Sequence, residues 1–139
     1  MITDEYAAGF FDGEGHLHIS NNHGAGLKYR YHTLVVSVGQ NDPRPLRELQ
    51  ETYGGAIHKN ITSSGKQYGQ WVLNNHRAAS FLEKVLPHLI VKRAQALEAV
   101  EFVKLLRIGS KRLTEEDLVL REGFRQRIHT LKQTEDKWD

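Results

Sequence analysis

Two acidic residues, Asp12 and Glu14, alternate with glycines in the segment Asp12-Gly13-Glu14-Gly15 near the start of the chain. The first fifteen residues contain four acids and no base, whereas residues 16–77 contain seven Lys or Arg, three acids and six of the eight histidines. Carboxylates suit divalent cations, and a basic surface suits a polyanion. The pattern therefore indicates a small acidic metal centre beside a basic surface. The alternative is an evenly solvated surface on which charges cluster by chance.

Composition narrows the chemistry further. The chain has 139 residues, a net charge of +2 and no cysteine, which excludes a disulfide scaffold, a thiolate metal site and a cysteine nucleophile. No apolar run approaches the roughly 20 residues of a membrane span, and the start lacks the basic and apolar regions of a secretory signal. No repeat or linker is visible, so we expect a single domain over residues 1–139 without a membrane partner.

The elements that must position the acids follow from periodicity and capping residues. Asp42 before Pro43 is typical of a helix start, and Thr114 with Asp117 three positions later predicts the start of the last helix. That last helix carries an apolar stripe of Leu120, Phe124, Ile128 and Leu131. The predicted order begins with a helix at 5–14, a strand at 16–21 and a second strand that ends at about 38. A helix then runs from 43 to a Gly-Gly stop at 54–55, followed by strands at 56–62 and 67–74. The remaining helices are predicted at 78–86, at 92–107 and from 114. We expect an α+β fold, in which helices cover one face of an antiparallel sheet.

The other face of this sheet is polar but carries little negative charge. Short, mostly uncharged donors and acceptors suit contacts to base edges, and bases near the hairpins suit phosphates. This favours a nucleic-acid surface over a plain solvated face. The strand residues expected on it are His16, His18, Ser20, Thr33, Ser37, His58, Asn60, Thr62, Gln70 and Asn74, with Lys28, Arg30, Lys59 and Lys66 near the hairpins.

Residues 7–15, Ala-Ala-Gly-Phe-Phe-Asp-Gly-Glu-Gly, resemble the LAGLIDADG motif of the homing endonucleases. The sequence departs from that motif at Ala7, where leucine is usual, and at Glu14, where aspartate is usual. The motif opens a domain of the expected strand and helix order, so the resemblance extends over essentially the whole chain. It implies an αββαββα core, a saddle-shaped antiparallel sheet with helices on one face, and extra C-terminal helices.

The glycines of the motif can be interpreted from helix geometry alone. Gly9 and Gly13 lie four residues apart on one helix face, which permits another backbone to approach closely. The alternative is tight packing within the chain, or a helix cap at Gly13. The resemblance implies that two such helices pack side by side. Since the chain has one copy of the motif, it implies a homodimer with Gly9, Asp12 and Gly13 in the interface.

The resemblance also implies roles for individual residues around Glu14. The two Glu14 carboxylates and the Gly13 carbonyl would bind Mg²⁺, or Mn²⁺ in its place, since oxygen ligands suit a hard cation. Gln40 would order the hydrolytic water, Arg44 would pair with the scissile phosphate, and Lys92 would stabilise developing charge. The alternatives are a strand-end cap for Gln40 and solvated bases for Arg44 and Lys92.

The implied function is a site-specific, Mg²⁺-dependent, intron-encoded DNA endonuclease that cuts a long, near-palindromic double-stranded site. It would act inside the cell where its DNA lies, in a bacterial or phage-infected cytoplasm or in an organelle. One alternative is a non-cleaving DNA-binding regulator or RNA-splicing maturase of the same fold, and another is a zinc nuclease built on His16 and His18. The residues expected to contact DNA are His16, His18, Ser20, Asn22, Lys28, Arg30, Thr33, Ser37, His58, Asn60, Thr62, Lys66, Gln70 and Asn74.

Overall fold

Five α-helices and four strands form the described part of the protein. The structure, a computed structural model, describes residues 1–23, 30–106, 113–133 and 138, and only the backbone of residues 22, 23, 30 and 31. The elements are α1 (Asp4–Glu14), β1 (Gly15–His23), β2 (Arg30–Gln40), α2 (Pro43–Tyr53), β3 (Ala56–Ile61), β4 (Gln67–Asn74), α3 (Asn75–Val85), a 3₁₀ turn (Leu86–His88), α4 (Arg93–Leu105) and α5 (Glu115–Gln133). This order confirms the predicted α+β class and the αββαββα core followed by further helices.

The four strands form one antiparallel sheet in the order β1-β2-β4-β3. Leu17 faces Val36 across the first pair, and Val36 faces Leu73 across the second, so these side chains share a face. All three are buried, and they form one core with apolar residues from α1 to α5. The helices therefore cover this face, as the alternation of the strands predicts.

Helix α1 is held by a cap at each end. The Thr3 hydroxyl accepts a hydrogen bond from the Tyr6 N–H at 3.1 Å, which satisfies one free donor of the first turn. Ala7, Ala8 and Phe11 are buried, and the Phe11 ring packs edge-on against Phe81 at 5.4 Å. A Cβ atom at position 15 would collide with the Phe11 ring, so only glycine fits where α1 turns into β1.

The predicted caps of α2 and α5 are confirmed. The Asp42 carboxylate accepts from the Arg44 N–H at 2.9 Å, and Thr114 and Asp117 bond to each other's backbone N–H at 3.0 and 3.1 Å. Helix α3 begins three residues earlier than predicted. Asn75, at a φ of 45°, accepts a hydrogen bond from the Leu34 N–H at 2.9 Å. Asparagine tolerates this left-handed backbone, and the bond ties the start of α3 to β2.

Helices α4 and α5 pack against each other and against β1. The predicted apolar stripe of α5 is wrong at Leu120, which is 55% exposed, whereas Ile128 is buried in the core. Because Phe124 packs on Phe102, Leu120 lies one turn earlier in α5, opposite the C-terminal end of α4 at Leu105. No helix in the described part of the chain is long and apolar enough to cross a membrane.

Candidate catalytic cleft and nucleic-acid interface

Glu14 and Gln40 lie together in one open cleft. Helix α1 ends at Glu14, and the pairing of Gly15 with Val38 places Glu14 beside the last residues of β2. The cleft, of about 400 Å³, is lined by Glu14, Gly39, Gln40, Asn41, Thr62 and Tyr68. The structure therefore brings together the acid and the amide that were predicted to act on the same phosphate.

The Glu14 carboxylate is exposed, and no described residue forms an ion pair or hydrogen bond with it. It lies at the C-terminal end of α1, where the helix dipole disfavours a negative charge. The described residues of one chain contain no group of three His, Asp or Glu side chains able to hold a metal ion. A carboxylate beside the carbonyls of a helix end offers oxygen ligands, which fit a hard divalent cation once further ligands are supplied.

Lys92 lies at the same end of α1 as Glu14. Its Nζ donates a hydrogen bond to the Asp12 carbonyl at 2.8 Å and lies 5.9 Å from the centre of the Phe11 ring. The side chain is partly buried, and no described carboxylate pairs with its ammonium group. Lys92 is therefore held against the end of the motif helix within a single chain.

The Asp12 carboxylate is engaged within its own chain. It accepts hydrogen bonds from the backbone N–H groups of Ile90, Val91 and Lys92 at 2.7 to 3.2 Å. These N–H groups precede α4, so Asp12 acts as a cap supplied from another helix. Three donors of the same chain thus engage the Asp12 carboxylate, and its place in a dimer interface stays a prediction.

Arg44 is engaged by a neighbour instead of being free. Its guanidinium forms a two-pronged ion pair with Asp42, with Nη2 at 2.6 Å and Nε at 3.0 Å from the carboxylate oxygens. The hydrogen bonds from Arg44 lower the pKa of Asp42 to about 2. Arg44 thus meets a protein carboxylate in the free chain, which occupies its Nε and one Nη2 donor and leaves its other N–H groups exposed.

The strand register gathers the predicted polar residues on the face opposite the core. His16 faces Ser37, and His18 faces Val35, across the β1–β2 pair. Val35 in turn faces Asn74, and His58 faces Gln70. Ser20, Thr33, His58, Asn60 and Asn74 share this face. The alternation of the strands therefore gave the correct face for all of these residues.

Several of the predicted DNA contacts need correction or lie outside the described residues. Ser37 is only 5% exposed, because it lies on a central strand between His16 and Val72, so its hydroxyl offers little surface for the predicted base contact. The Thr62 hydroxyl bonds to Ser64 and accepts from the Lys66 N–H within the β3–β4 turn. Lys28 and the side chains of Asn22 and Arg30 lie outside the described residues.

His16 and His18 form a close pair beside the cleft, with ring centres 5.1 Å apart. Burial, followed by the positive charge of Lys132, lowers the pKa of both rings. Neutral imidazoles present one donor and one acceptor each, which suits base edges better than phosphates. Within the described ranges no third ligand joins the pair, so these residues alone do not form a zinc site.

One face of α1 is open to solvent. A Cβ atom added at Gly9 or Gly13 would meet nothing within 4 Å. Tyr6, which is 54% exposed, stacks on Phe10 on the same face at 6.1 Å. These glycines therefore do not serve packing within the chain, and close approach by another molecule is the remaining reason for their cost in helix stability.

Three residues near the site were not predicted from the sequence. Asn41 and Tyr68 line the cleft with Glu14. Tyr68 pairs with Asn60, so its place on the polar face follows from the same alternation that identified Asn60. Lys132 reaches the histidine pair from α5. Its position depends on tertiary packing of the last helix, for which the sequence pattern holds no signal.

Comparison with known proteins supports the architecture. No protein-family profile matches the chain, and no curated protein matches it significantly. Among solved structures, the homing endonuclease I-CvuI in complex with its target has a TM-score of 0.78 at 22% identity, over 92% of this chain and 80% of that one. The archaeal intron-encoded homing endonuclease I-Vdi141I, complexed with DNA, has a TM-score of 0.77 at 22% identity, over 98% and 88%.

A third similar structure is the LAGLIDADG homing endonuclease I-SmaMI bound to cleaved DNA, with a TM-score of 0.68 at 20% identity. The alignment covers 88% of this chain and 42% of I-SmaMI. Together with the motif helix, the sheet order and the Glu14 cleft, these matches lead to one conclusion. The chain has the fold of the LAGLIDADG homing endonucleases.

Proposed function

We propose that this protein is a homodimeric, site-specific endonuclease that hydrolyses phosphodiesters of double-stranded DNA with Mg²⁺ or Mn²⁺. The observation that carries the proposal is the cleft in which the unpaired Glu14 lies beside Gln40. Similar folds that are described as DNA-bound homing endonucleases support the same class of activity.

The open face of α1 supports the homodimer. Two copies of α1 packed side by side through Gly9 and Gly13 would bring two Glu14 carboxylates to one end of the helix pair. A two-fold axis between the helices makes the interface self-complementary and leads to a near-palindromic DNA site. The chain spans 42% of I-SmaMI, which is consistent with a second copy supplying the rest of the working unit.

The polar sheet face supports DNA as the partner. His58, Asn60 and Asn74 are exposed on it, and they offer donors and acceptors without negative charge. His16 and His18 add rings whose lowered pKa keeps them neutral at pH 7. Such groups read the donor and acceptor pattern of the major groove, and the lysines near the hairpins neutralise phosphates.

The residues of the cleft suit phosphodiester hydrolysis. The Glu14 carboxylates and the Gly13 carbonyl would hold the divalent cation, which when bound lowers the pKa of a coordinated water and neutralises phosphate charge. Gln40 presents an amide that donates and accepts hydrogen bonds, which suits orientation of the attacking water. Lys92 places a positive charge at the same end of α1, where charge develops on the phosphate.

The experiment is cleavage of a randomised palindrome library with Mg²⁺, compared between wild type and Glu14→Gln. Glu83→Gln is the matched control, because Glu83 is an exposed acid on α3. We expect wild type and the control to enrich a cleaved sequence and Glu14→Gln to bind the same sequence without cutting it.

The competing functions give different results in the same experiment. A wild type that enriches bound but uncut DNA indicates a regulator or maturase. Cleavage that survives Glu14→Gln and fails after joint replacement of His16 and His18 indicates a zinc nuclease. Either result contradicts the proposed mechanism.

A further inference from the structure

Lys132, near the end of α5, lies beside Lys92 at the start of α4. Helices α4 and α5 run antiparallel, with the Arg127 Nε bonded to Glu98 at 3.2 Å and the Phe124 ring packed on Phe102 at 6.1 Å. The same antiparallel pairing of α4 and α5, continued to the end of α5, places Lys132 opposite the first turn of α4. Lys92 is the residue immediately before that turn.

The packing of α5 on the sheet gives the same position independently. The Glu122 carboxylate accepts hydrogen bonds from Asn21 of β1 at 3.3 Å and contacts the Nε2 of His32 at 2.9 Å. Ten residues of helix from Glu122 to Lys132 span about 15 Å. Five residues of strand from Asn21 back to His16 span about 16 Å. These lengths match, and the charge of Lys132 lowers the pKa of His16, which places the end of α5 near the start of β1.

Among the described residues, the two lysines form a cationic pair without a neutralising acid. Lys132 is half-buried, and burial, followed by the charge of Lys92, lowers its pKa. In the part of the chain that the structure describes, no carboxylate pairs with either ammonium group, and the nearby Asp12 carboxylate is engaged by backbone N–H groups. Holding like charges together is costly in a partly buried place, and an anion between them offsets that cost.

We propose that Lys132 and Lys92 together bind a backbone phosphate of the DNA strand that is cut at Glu14. This inference rests on the proposed function and assigns a substrate contact to α5, a helix outside the αββαββα core. Lys92 is fixed to the end of the motif helix by its bond to the Asp12 carbonyl, so the phosphate would be held close to the cleft.

The test measures the salt dependence of duplex DNA binding with Ca²⁺ in place of Mg²⁺. Lys132→Met removes one of the two cations at this phosphate in each protomer, so it lowers the slope of log K against log salt by at most about 0.9 per protomer, or about 1.8 for the dimer. Lys132→Arg retains the charge and is expected to keep the wild-type slope. Lys84→Met removes the same charge from α3, where Lys84 lies over the Tyr53 ring, and is expected to leave the slope unchanged.

The outcomes separate this inference from the proposed function. If Lys132→Met binds and cuts DNA with the slope and rate of Lys84→Met, the phosphate site is refuted while the endonuclease stands. If wild type neither binds nor cuts duplex DNA, the proposed function fails first. Should circular dichroism show Lys132→Met to be unfolded, Lys132→Gln replaces it, since a polar side chain suits this half-buried position and lacks the charge.

Discussion

Asp12 and Lys92 contact each other at two points. The Lys92 backbone N–H donates to the Asp12 carboxylate at 3.0 Å, and the Lys92 Nζ donates to the Asp12 carbonyl at 2.8 Å. These bonds join the last turn of α1 to the start of α4, 80 positions apart in the chain. The acid that precedes Glu14 in the motif therefore fixes the lysine predicted to act with it.

We expect Asp12→Ala to lower the free energy of unfolding by about 1–2 kcal/mol, because α4 loses its cap. Urea unfolding measures the change. Asp12→Asn is the matched control. It retains one acceptor oxygen, so we expect it to lower the free energy of unfolding by less. Cleavage is expected to fall in Asp12→Ala, since the Lys92 backbone N–H loses its acceptor, and to fall less in Asp12→Asn. Unchanged stability with a weakened dimer would instead support the interface role predicted for Asp12.

Gly9→Leu is expected to leave each protomer folded and to abolish the dimer. Nothing lies within 4 Å of a Cβ atom at this position in the single chain, and leucine favours a helix more than glycine does. Sedimentation velocity measures the association state, and thermal unfolding checks the fold. Ser80→Leu adds the same side chain to an exposed position on α3 and serves as the control. A dimer that persists in Gly9→Leu would show that α1 is not the interface.

Local sequence patterns predicted the helices and strands well, because capping and alternation depend on residues that lie close together in the chain. Asp42 and Thr114 cap their helices by contacts with residues two or three positions away. Alternation in β1 and β2 placed His16 and His18 on the polar face. These features need only periodicity and capping chemistry, both of which are written in short stretches of sequence.

What the sequence could not predict depends on partners far along the chain. The Asp12 carboxylate accepts hydrogen bonds from residues 78 to 80 positions away, and the Glu122 carboxylate contacts the His32 ring at a separation of 90 positions. Ser37 was expected to be accessible because serine is polar, but its central strand buries it. Burial of a sheet residue depends on strand order, which alternation alone does not give.

Asp42→Asn is expected to strengthen DNA binding, because it frees the Arg44 guanidinium while retaining a good helix cap. If the freed Arg44 reaches a phosphate, the salt dependence becomes steeper by about 0.9 per contact. Arg44→Ala alone is expected to change affinity little, since Asp42 already engages the guanidinium. A loss of about ten-fold or more in Arg44→Ala would show that the ion pair opens when DNA binds.

Glu122→Gln is expected to lower the free energy of unfolding at pH 7 by about 1 kcal/mol, a modest cost because the side chain is 34% exposed and solvent screens its charge. Hydrogen bonds from Arg125, then from His32 and Gln126, lower the pKa of Glu122 to about 2. A lowered pKa means that the ionised carboxylate stabilises the fold fully above its ordinary pKa near 4.3. That stability is lost as the pH falls towards about 2.

The difference in free energy of unfolding between wild type and Glu122→Gln should therefore be constant from about pH 6 to 8 and shrink to zero between about pH 4 and 2. Urea unfolding across this range measures it, with Glu116→Gln, an exposed acid of the same helix, as the control. A difference that does not change with pH would mean that Glu122 holds α5 on the sheet by packing, without a contribution from its charge.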